Sequence, residues 1–437
     1  MKINATSIKK LFSISLMAAL FMAGFSCCSN GSNQNKGSEG GGGEPIPVVD
    51  MGAFEPGNTS VEMAANMAIG WNLGNTLDAT GDWTDGNGVF HSDLKGLETE
   101  TGWGMPTTTE AMITAVHNAG FKTIRIPVSW HNHITDKTNY TIDSNWMARV
   151  KTVVDWAYNK DMCVIINIHH DNLAKSKLEG NYGFALSYDI ALQNQSKAYI
   201  EKVWTQIATT FKDYDNKLVF EVLNEPRDID GELAGNEWWC GQEAIMDIIT
   251  SYEQVGINAI RSVAGNENRF VMVPGYAASG SDSSMLALYT MPTDTAQDKL
   301  LLSTHAYSPY EFALKGDYED VEFDSKDSAS LTSLFNYLKT NYTNKGIGVV
   351  MGEASATDKE NTNERVKWAS SYFTKAREAG VSVVLWDNMV TCANENKNNI
   401  NIGERHGYYN RKSNSWYFPS IIEAMMKAVY GDNYTAE

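Results

Sequence analysis

The chain has 437 residues, with Lys+Arg 35 against Asp+Glu 53 and a formal net charge of −18. So acidic a chain excludes nucleic acid as a partner, because phosphates require basic patches. It equally excludes an electrostatic hold on anionic lipid, and leaves room for a neutral ligand. Hydrophobic residues make up 43% and charged residues 20%, an ordinary globular composition, and 12 Trp and 20 Tyr are available as flat apolar surfaces as well as core.

The chain opens with Lys2, Lys9 and Lys10, followed by an apolar run, Leu11 to Phe25, too short to span a bilayer. The run ends in Gly24-Phe25-Ser26-Cys27, which resembles a bacterial lipoprotein box. That resemblance implies cleavage before Cys27 and lipid on its thiol, with Cys28 as the alternative acceptor and a plain secretory peptide as the alternative reading. Residues 1–26 are therefore expected to be a signal peptide. Residues 27–50 are expected to be a flexible tether, since SNGSNQNKGSEGGGGEPIP has almost no apolar side chain and four consecutive glycines. More than one acyl chain on Cys27 would hold the protein stably at a membrane. The expected location is the bacterial cell envelope, on the cell surface, with the lipid as the sole membrane contact. From residue 51 to 437 there is no second composition shift and no repeat, so one domain is expected; a monomer is expected too, although the sequence itself does not give the oligomeric state. Cys163, Cys240 and Cys392 have no metal-ligand spacing and read as small buried hydrophobes. At most one bridge could join them.

Within that domain, short β-rich apolar runs alternate with longer amphipathic stretches. The predicted strands are Ala68–Asn75, Thr123–Val128, Cys163–His169, Leu218–Glu225, Arg269–Gly275, Leu300–Tyr307, Gly348–Ala354 and Ser382–Asn388. Near-continuous Val/Ile/Leu runs are what strands buried on both faces require. The predicted helices are Thr107–Ala119, Trp146–Asn159, Ser196–Tyr214, Gln242–Val263, a weak one at Ser283–Thr290, Ser328–Thr340, Asn361–Ala379 and Pro419–Tyr430. Gly120 and Gly380 stand where helix C-caps belong. Eight βα units predict an α/β fold, a (β/α)8 TIM barrel.

Active sites of such barrels lie at the C-terminal ends of the strands, so the residues that end each strand matter. The second strand carries Arg125. The third ends in Asn167-Ile168-His169-His170, the fourth in Asn224-Glu225-Pro226, the sixth in His305-Ala306-Tyr307, the seventh in Gly352-Glu353 and the eighth in Trp386-Asp387-Asn388. Period-two alternation puts Asn167 with His169, Leu223 with Glu225, His305 with Tyr307, Met351 with Glu353, and Val384 with Trp386. If these faces line the mouth, two carboxylates, two histidines and an indole surround one cavity. Paired carboxylates, one protonated and one ionised, are the equipment of glycosidic cleavage.

These residues, with the opening Gly70-Trp71-Asn72-Leu73-Gly74-Asn75-Thr76-Leu77-Asp78-Ala79 and the segment Ile165-Ile166-Asn167-Ile168-His169-His170-Asp171, resemble glycoside hydrolase family 5, and within it the bacterial endoglucanases and xyloglucanases of subfamily 4. The resemblance implies a retaining, endo-acting hydrolase of β-1,4-glucans: cellulose-like, mixed-linkage or xyloglucan. Glu225 would be the acid/base and Glu353 the nucleophile, ~5 to 5.5 Å apart. Asn224 would bind the sugar 2-hydroxyl. Arg125 and Tyr307 would hold Glu353 ionised and oriented. His169 and His305 would bind hydroxyls and support the carboxylates, with His170 beside them. Trp386 would form the floor under the distorting ring, and a cis Trp386–Asp387 bond is expected by the same resemblance. Asn72, ending the first strand, is expected to contact a subsite. No metal or other cofactor is expected. Rival readings are a β-mannanase or xylanase of the same family, and a non-catalytic glycan-binding barrel.

Other features stay open on sequence alone. Glu221 shares the parity of Glu225 one layer lower and reads as a buried acid paired with Arg125 or a neighbour. Trp130 and the Trp238-Trp239 pair are candidates for stacking or for packing. Asp171 and Asn388 are equally divided between site and structure. Asp82–Gly88 and Asp228–Glu232 mimic calcium loops but lack the full ligand spacing, so they read as solvated loops.

Overall fold

The structure is a computed structural model, and it describes residues 48–81, 94–178, 181–394, 404–431 and 434, with the backbone of 83–84 and 90–91. The expected signal peptide, Cys27 and the tether up to residue 47 lie outside the described residues, as does most of the first calcium-like loop. Among the described residues no helix is long and apolar enough to cross a membrane.

Eight parallel strands close into a barrel: β1 Ile69–Asn72, β2 Thr123–Ile126, β3 Cys163–Asn167, β4 Leu218–Glu221, β5 Val271–Ser279, β6 Leu300–His305, β7 Gly348–Ala354 and β8 Val381–Leu385. Each pairs with its neighbours in chain order, and β8 pairs back onto β1. The helices that follow the strands are α1 Glu110–Asn118, α2 Ser144–Tyr158, α3 Ile190–Thr210, α4 Glu243–Ser262, α5 Ser283–Leu288, α6 Ser325–Asn341, α7 Thr362–Glu378 and α8 Pro419–Tyr430. The expected TIM barrel is therefore the observed fold. Acidic N-caps explain several starts: Asp143, Asp189, Asp282 and Asp324 each accept hydrogen bonds from the first-turn backbone of α2, α3, α5 and α6. Gly120 and Gly380 follow the ends of α1 and α7 with φ of +97° and +70°, the conformation a C-cap needs.

Several strands, β4 and β8 among them, are shorter than their apolar runs. Asn224 and Glu225 lie beyond β4, which stops at Glu221, and Trp386 and Asp387 lie beyond β8. These side chains thus stand on the first residues of the loops, whereas Arg125, His305 and Glu353 stand on the strands themselves.

An element absent from the sequence reading closes the other end. Helix Ser60–Met67 is started by a reciprocal Thr59/Glu62 capping box. Met63, Ala64 and Met67 pack with Phe54 against Ile165, Val219, Met272, Leu301, Val350 and Val384, the inward side chains of six strands. A dry lower core therefore supports the polar layer above it.

Strand β7 carries the second departure. Thr304 and His305 of β6 pair with Met351 and Glu353, and Val383 and Leu385 of β8 pair with Met351 and Ala354. On both sides β7 holds one residue more than its partner. This β-bulge resets the alternation. Val350 packs inside the barrel and Met351 outside it, yet Glu353, of the same parity as Met351, faces inward. The expected shared side of Met351 and Glu353 is thus corrected: the extra residue re-aims the carboxylate.

Candidate active site

The site rests on one guanidinium. Arg125, fully buried on β2, donates from Nε to Glu221 Oε2 at 2.8 Å, from Nη1 to Asn72 Oδ1 at 3.0 Å and Glu353 Oε1 at 2.9 Å, and from Nη2 to Asn224 Oδ1 at 2.6 Å. Burial opposes its charge, but Glu221 and Glu353 outweigh that, so its pKa is raised. Glu221 is the buried structural acid: besides Arg125 it accepts from Asn167 Nδ2 at 2.8 Å and Ser303 Oγ at 2.6 Å. A buried carboxylate with a cation and two further donors is tolerable where an isolated one is not. Asn72 departs from expectation. It is fully buried, and its amide also donates to Gly352 O at 2.8 Å, so it positions Arg125 and offers nothing to a ligand.

Above this layer sit Glu225 and Glu353. One oxygen of each and one ring nitrogen of His305 lie within 4.8 Å of one another. That spacing fits a direct nucleophile and leaves no gap for the water that inverting pairs accommodate. Tyr307 OH donates to Glu353 Oε2 at 2.7 Å. His305 Nδ1 is 2.8 Å from Glu225 Oε1 and 3.7 Å from Glu353 Oε2. Gly352 makes room for that imidazole, since a Cβ there would stand 3.1 Å from His305 Nε2. Burial disfavours imidazolium, but the charge of Glu353 and the hydrogen bond and charge of Glu225 prevail, and the His305 pKa is raised. For Glu225, burial pushes the carboxyl up, while His305 and Arg227 push it down and win.

His169, His170 and Trp386 line one wall. His169 Nδ1 lies 3.0 Å from Asn167 Nδ2, and its ring is parallel to the Trp386 indole at 6.0 Å between centroids. Burial, reinforced by neighbouring positive groups, lowers the pKa of both histidines, that of His170 to about 3, so both offer neutral imidazoles. His170 Nε2 stands 3.8 Å from Asp78 Oδ2, a buried carboxyl pushed up to about 7 by burial. The indole of Trp386 lies on Gly74: a Cβ at Gly74 would meet the ring at 2.9 Å and Asp387 O at 2.8 Å. The expected cis bond at Trp386–Asp387 is not found. Among the described residues the cis peptide is Ser308–Pro309, and a trans bond avoids the ~2.5–4 kcal/mol cost of a non-proline cis form. The segment is fixed instead by Trp386 N to Ala354 O at 3.0 Å and by the Asp387 carboxylate, which accepts from Trp71 Nε1 and Tyr409 N, each at 2.9 Å.

The open candidates divide cleanly. Trp130 is fully buried and donates from Nε1 to Asn167 O at 2.8 Å, so it is packing. Asp171 accepts from the Trp130 and His131 backbone and from Tyr199 OH, and Asn388 binds the His406 and Val390 backbone; both are structural. In the second calcium-like loop, Asp228 caps Leu233 N and Ala234 N, Asp230 accepts from Lys175 N, and Glu232 pairs with Lys175. Cys163, Cys240 and Cys392 are free thiols. Two site groups escaped the sequence reading. Arg227, 3.5 Å from Glu225 Oε2, was signalled only by following Asn224-Glu225-Pro226. Glu404, an exposed residue, carried no signal; crowding by surrounding protein and repulsion from Glu225 and Glu353 raise its pKa.

A parallel barrel with a close carboxylate pair at its C-terminal mouth, braced by an arginine, a tyrosine and a histidine, defines the glycoside-hydrolase class. Residues 77–391 match the family described as Cellulase (glycosyl hydrolase family 5). The chain belongs to that family. It is 36% identical over 370 residues to the Cellulase/esterase CelE of Acetivibrio thermocellus, covering 84% of this chain and 40% of that protein. It is 39% identical over 372 residues to Endoglucanase A of Clostridium longisporum, covering 84% of this chain and 65% of that protein. The chain thus spans less than two thirds of the length of either relative. A GH5-4 broad specificity endoglucanase from Ruminococcus champanellensis, solved with bound cellotriose, superposes with a TM-score of 0.73 at 36% identity, covering 84% of this chain and 98% of that one.

Proposed function

We propose that this protein is a retaining endo-β-1,4-glucanase acting on β-glucan polysaccharides by double displacement. The observation that carries the reading is the Glu225/Glu353 pair, within 4.8 Å across His305. Glu353, fixed by Arg125 and Tyr307, attacks the anomeric carbon. Glu225 protonates the departing oxygen, the proton coming from the one held between Glu225 and His305. A glycosyl ester on Glu353 results. Glu225 then removes a proton from water, which attacks the same face and releases the sugar with its configuration retained. Asn224, held by Arg125 Nη2, is positioned for the 2-hydroxyl, where a hydrogen bond strengthens as charge develops on the ring.

The substrate class is supported by the relatives, named cellulase or endoglucanase, and by the cellotriose in the Ruminococcus champanellensis structure. Initial rates of reducing-end release on xyloglucan, carboxymethylcellulose, mixed-linkage glucan, glucomannan and xylan test it. The expected result is turnover of the glucans. A clear preference for xylan or mannan would overturn the glucanase reading, and no turnover of any polymer would make the barrel a binding module.

The N-terminal segment extends the proposal. Lipid on Cys27 would hold a catalytic domain of residues 51–437 at the bacterial cell envelope, beside a polymer too large to enter the cell. The basic start, the apolar run and the Gly-rich tether support this. Expressed in a bacterial host, the full chain should partition with membranes and take up labelled fatty acid. Cys27→Ala should abolish both, and unchanged partition would contradict the anchor.

A further inference from the structure

The loop after β4 turns back on its own first residues. Asp228 N donates to Tyr276 OH at 3.1 Å, and that hydroxyl donates to Asn236 O at 3.2 Å. The Asp228 carboxylate accepts from Leu233 N and Ala234 N. Asp228 and Tyr276 are both buried, so these bonds pin the loop and return Glu237 and Trp238 to Arg227. Glu237 Oε1 accepts from Arg227 Nε at 3.0 Å, and the guanidinium lies over the Trp238 indole at 4.1 Å from Cζ to the centroid. The backbone N–H of Arg227 is held as well, by Asn172 Oδ1 at 2.7 Å. Trp239 takes no part, because its ring folds onto Gly241, where a Cβ would meet it at 2.6 Å.

Arg227 follows Glu225 by two residues and its guanidinium faces that carboxylate. Nη1 donates to the Glu225 carbonyl at 3.1 Å and stands 3.5 Å from Glu225 Oε2. A closed guanidinium–carboxylate bond is shorter, about 2.7–2.9 Å. The cation is thus held just off the carboxylate, by Glu237 on Nε and by the peptide carbonyl on Nη1. That distance matters for a group that must give up a proton in one step and take one in the next. A guanidinium closed on Oε2 would trap the ionised form, and no cation at all would favour the protonated one. The other groups that face Glu225 are His305 of β6 at 2.8 Å, His170 after β3, Tyr307 after β6, Glu404 ahead of α8, and Glu353 of β7 across His305. Arg227 brings its own counter-ion to this set, the half-exposed Glu237.

We infer that Arg227 is a positioning residue for the proposed acid/base, and that Glu237 sets how strongly its charge bears on Glu225. The inference rests on Glu225 serving first as acid and then as base. Arg227 favours the ionised carboxyl, the form that takes a proton from water in the second step. Glu237 offsets part of that charge, so the protonated form needed in the first step stays accessible. The Trp238 indole covers one face of the guanidinium and keeps water from that side, where it would weaken the field.

The test compares wild type, Arg227→Met, Arg227→Lys and Glu237→Gln on cellohexaose and on 2,4-dinitrophenyl β-cellobioside, each across pH. For cellohexaose the alkaline limb of kcat/KM reports the acid. The first step of the aryl glycoside needs little acid assistance. Its kcat, limited by hydrolysis of the glycosyl ester, has an acid limb that reports the base. Arg227→Met should move both limbs upward, and Glu237→Gln should move both downward. Arg227→Lys keeps the charge and should leave both limbs nearer to wild type than Arg227→Met does. A loop that merely folds less well would not give opposite movements in two neighbouring substitutions. If Arg227→Met does not fold, Glu237→Gln decides alone, a downward movement supporting the inference and any other result overturning it. Limbs that stay in place, that move the same way in Arg227→Met and Glu237→Gln, or that move as far in Arg227→Lys as in Arg227→Met, would overturn it too. No turnover of either substrate by the wild type would instead overturn the proposed activity, and wild-type turnover of cellohexaose by Glu225→Gln would overturn the acid/base assignment.

Discussion

Arg125 Nη1 stands 2.9 Å from Glu353 Oε1, and the same guanidinium holds the buried acid Glu221 below and Asn224 above. One side chain thus connects a buried structural acid to the proposed reacting groups. Removing it would affect stability and chemistry together. Arg125→Ala leaves Glu221 as an uncompensated buried charge and should cost ~3–5 kcal/mol of unfolding free energy, read by denaturant titration. Pairing it with Glu221→Gln should recover much of that stability but not the turnover. Full recovery of kcat in the double variant would show that Arg125 acts on Glu221 alone.

The proposed acid/base has its own signature. Glu225→Gln should reduce turnover of polysaccharide by ~10²–10⁴-fold, and affinity for an oligosaccharide should be nearly unchanged. Azide should rescue the variant on an activated aryl cellobioside by replacing the water that Glu225 no longer deprotonates. If the variant hydrolyses unactivated glucan at the wild-type rate, the proton comes from elsewhere.

The pH dependence follows from His305. It lowers the Glu225 pKa against the upward push of burial. The acid must be protonated to work, so the alkaline limb of kcat/KM reports its pKa in the free enzyme. In His305→Asn the imidazolium is gone, the carboxyl holds its proton to higher pH, and the alkaline limb should move upward. A downward movement would mean that this limb belongs to another group.

Gly74 tests the wall of the site. A methyl there would lie 2.9 Å from the Trp386 ring and 2.8 Å from Asp387 O. One contact is with backbone, so the ring must tilt. Gly74→Ala should cost ~1–3 kcal/mol of stability and raise KM for cellotriose-length substrates, measured by initial rates. Unaltered kinetics would show that Trp386 does not support the bound ring.

How far the site was legible depended on where each group's partners come from. Asn224, Glu225, His305 and Tyr307 could be found because each closes an apolar run, and a barrel puts run ends in one place. Glu353 also closes its run, although its alternation with Met351 fails. The extra residue of β7 appears only in pairing with β6 and β8, and no single strand records its register. Trp130 and Trp238 looked alike because the distinguishing partners, Asn167 O and the Arg227 guanidinium, lie 37 residues away in one case and on a loop of undetermined course in the other. The helix Ser60–Met67 carries its own sequence signal, since Thr59-x-x-Glu62 is a capping signature, but it stands ahead of the first strand and outside the strand–helix alternation. Asn72 illustrates the converse, a polar residue at a strand end that serves the scaffold.

The most direct measurement is to trap the intermediate. The protein is incubated with 2,4-dinitrophenyl 2-deoxy-2-fluoro-β-cellobioside, digested and mapped by mass spectrometry. The account predicts a single fluorocellobiosyl adduct on the peptide containing Glu353, formed with stoichiometric loss of activity and lost on slow reactivation. An adduct on any other carboxylate, or inactivation-free turnover with inversion at the anomeric carbon, would contradict it.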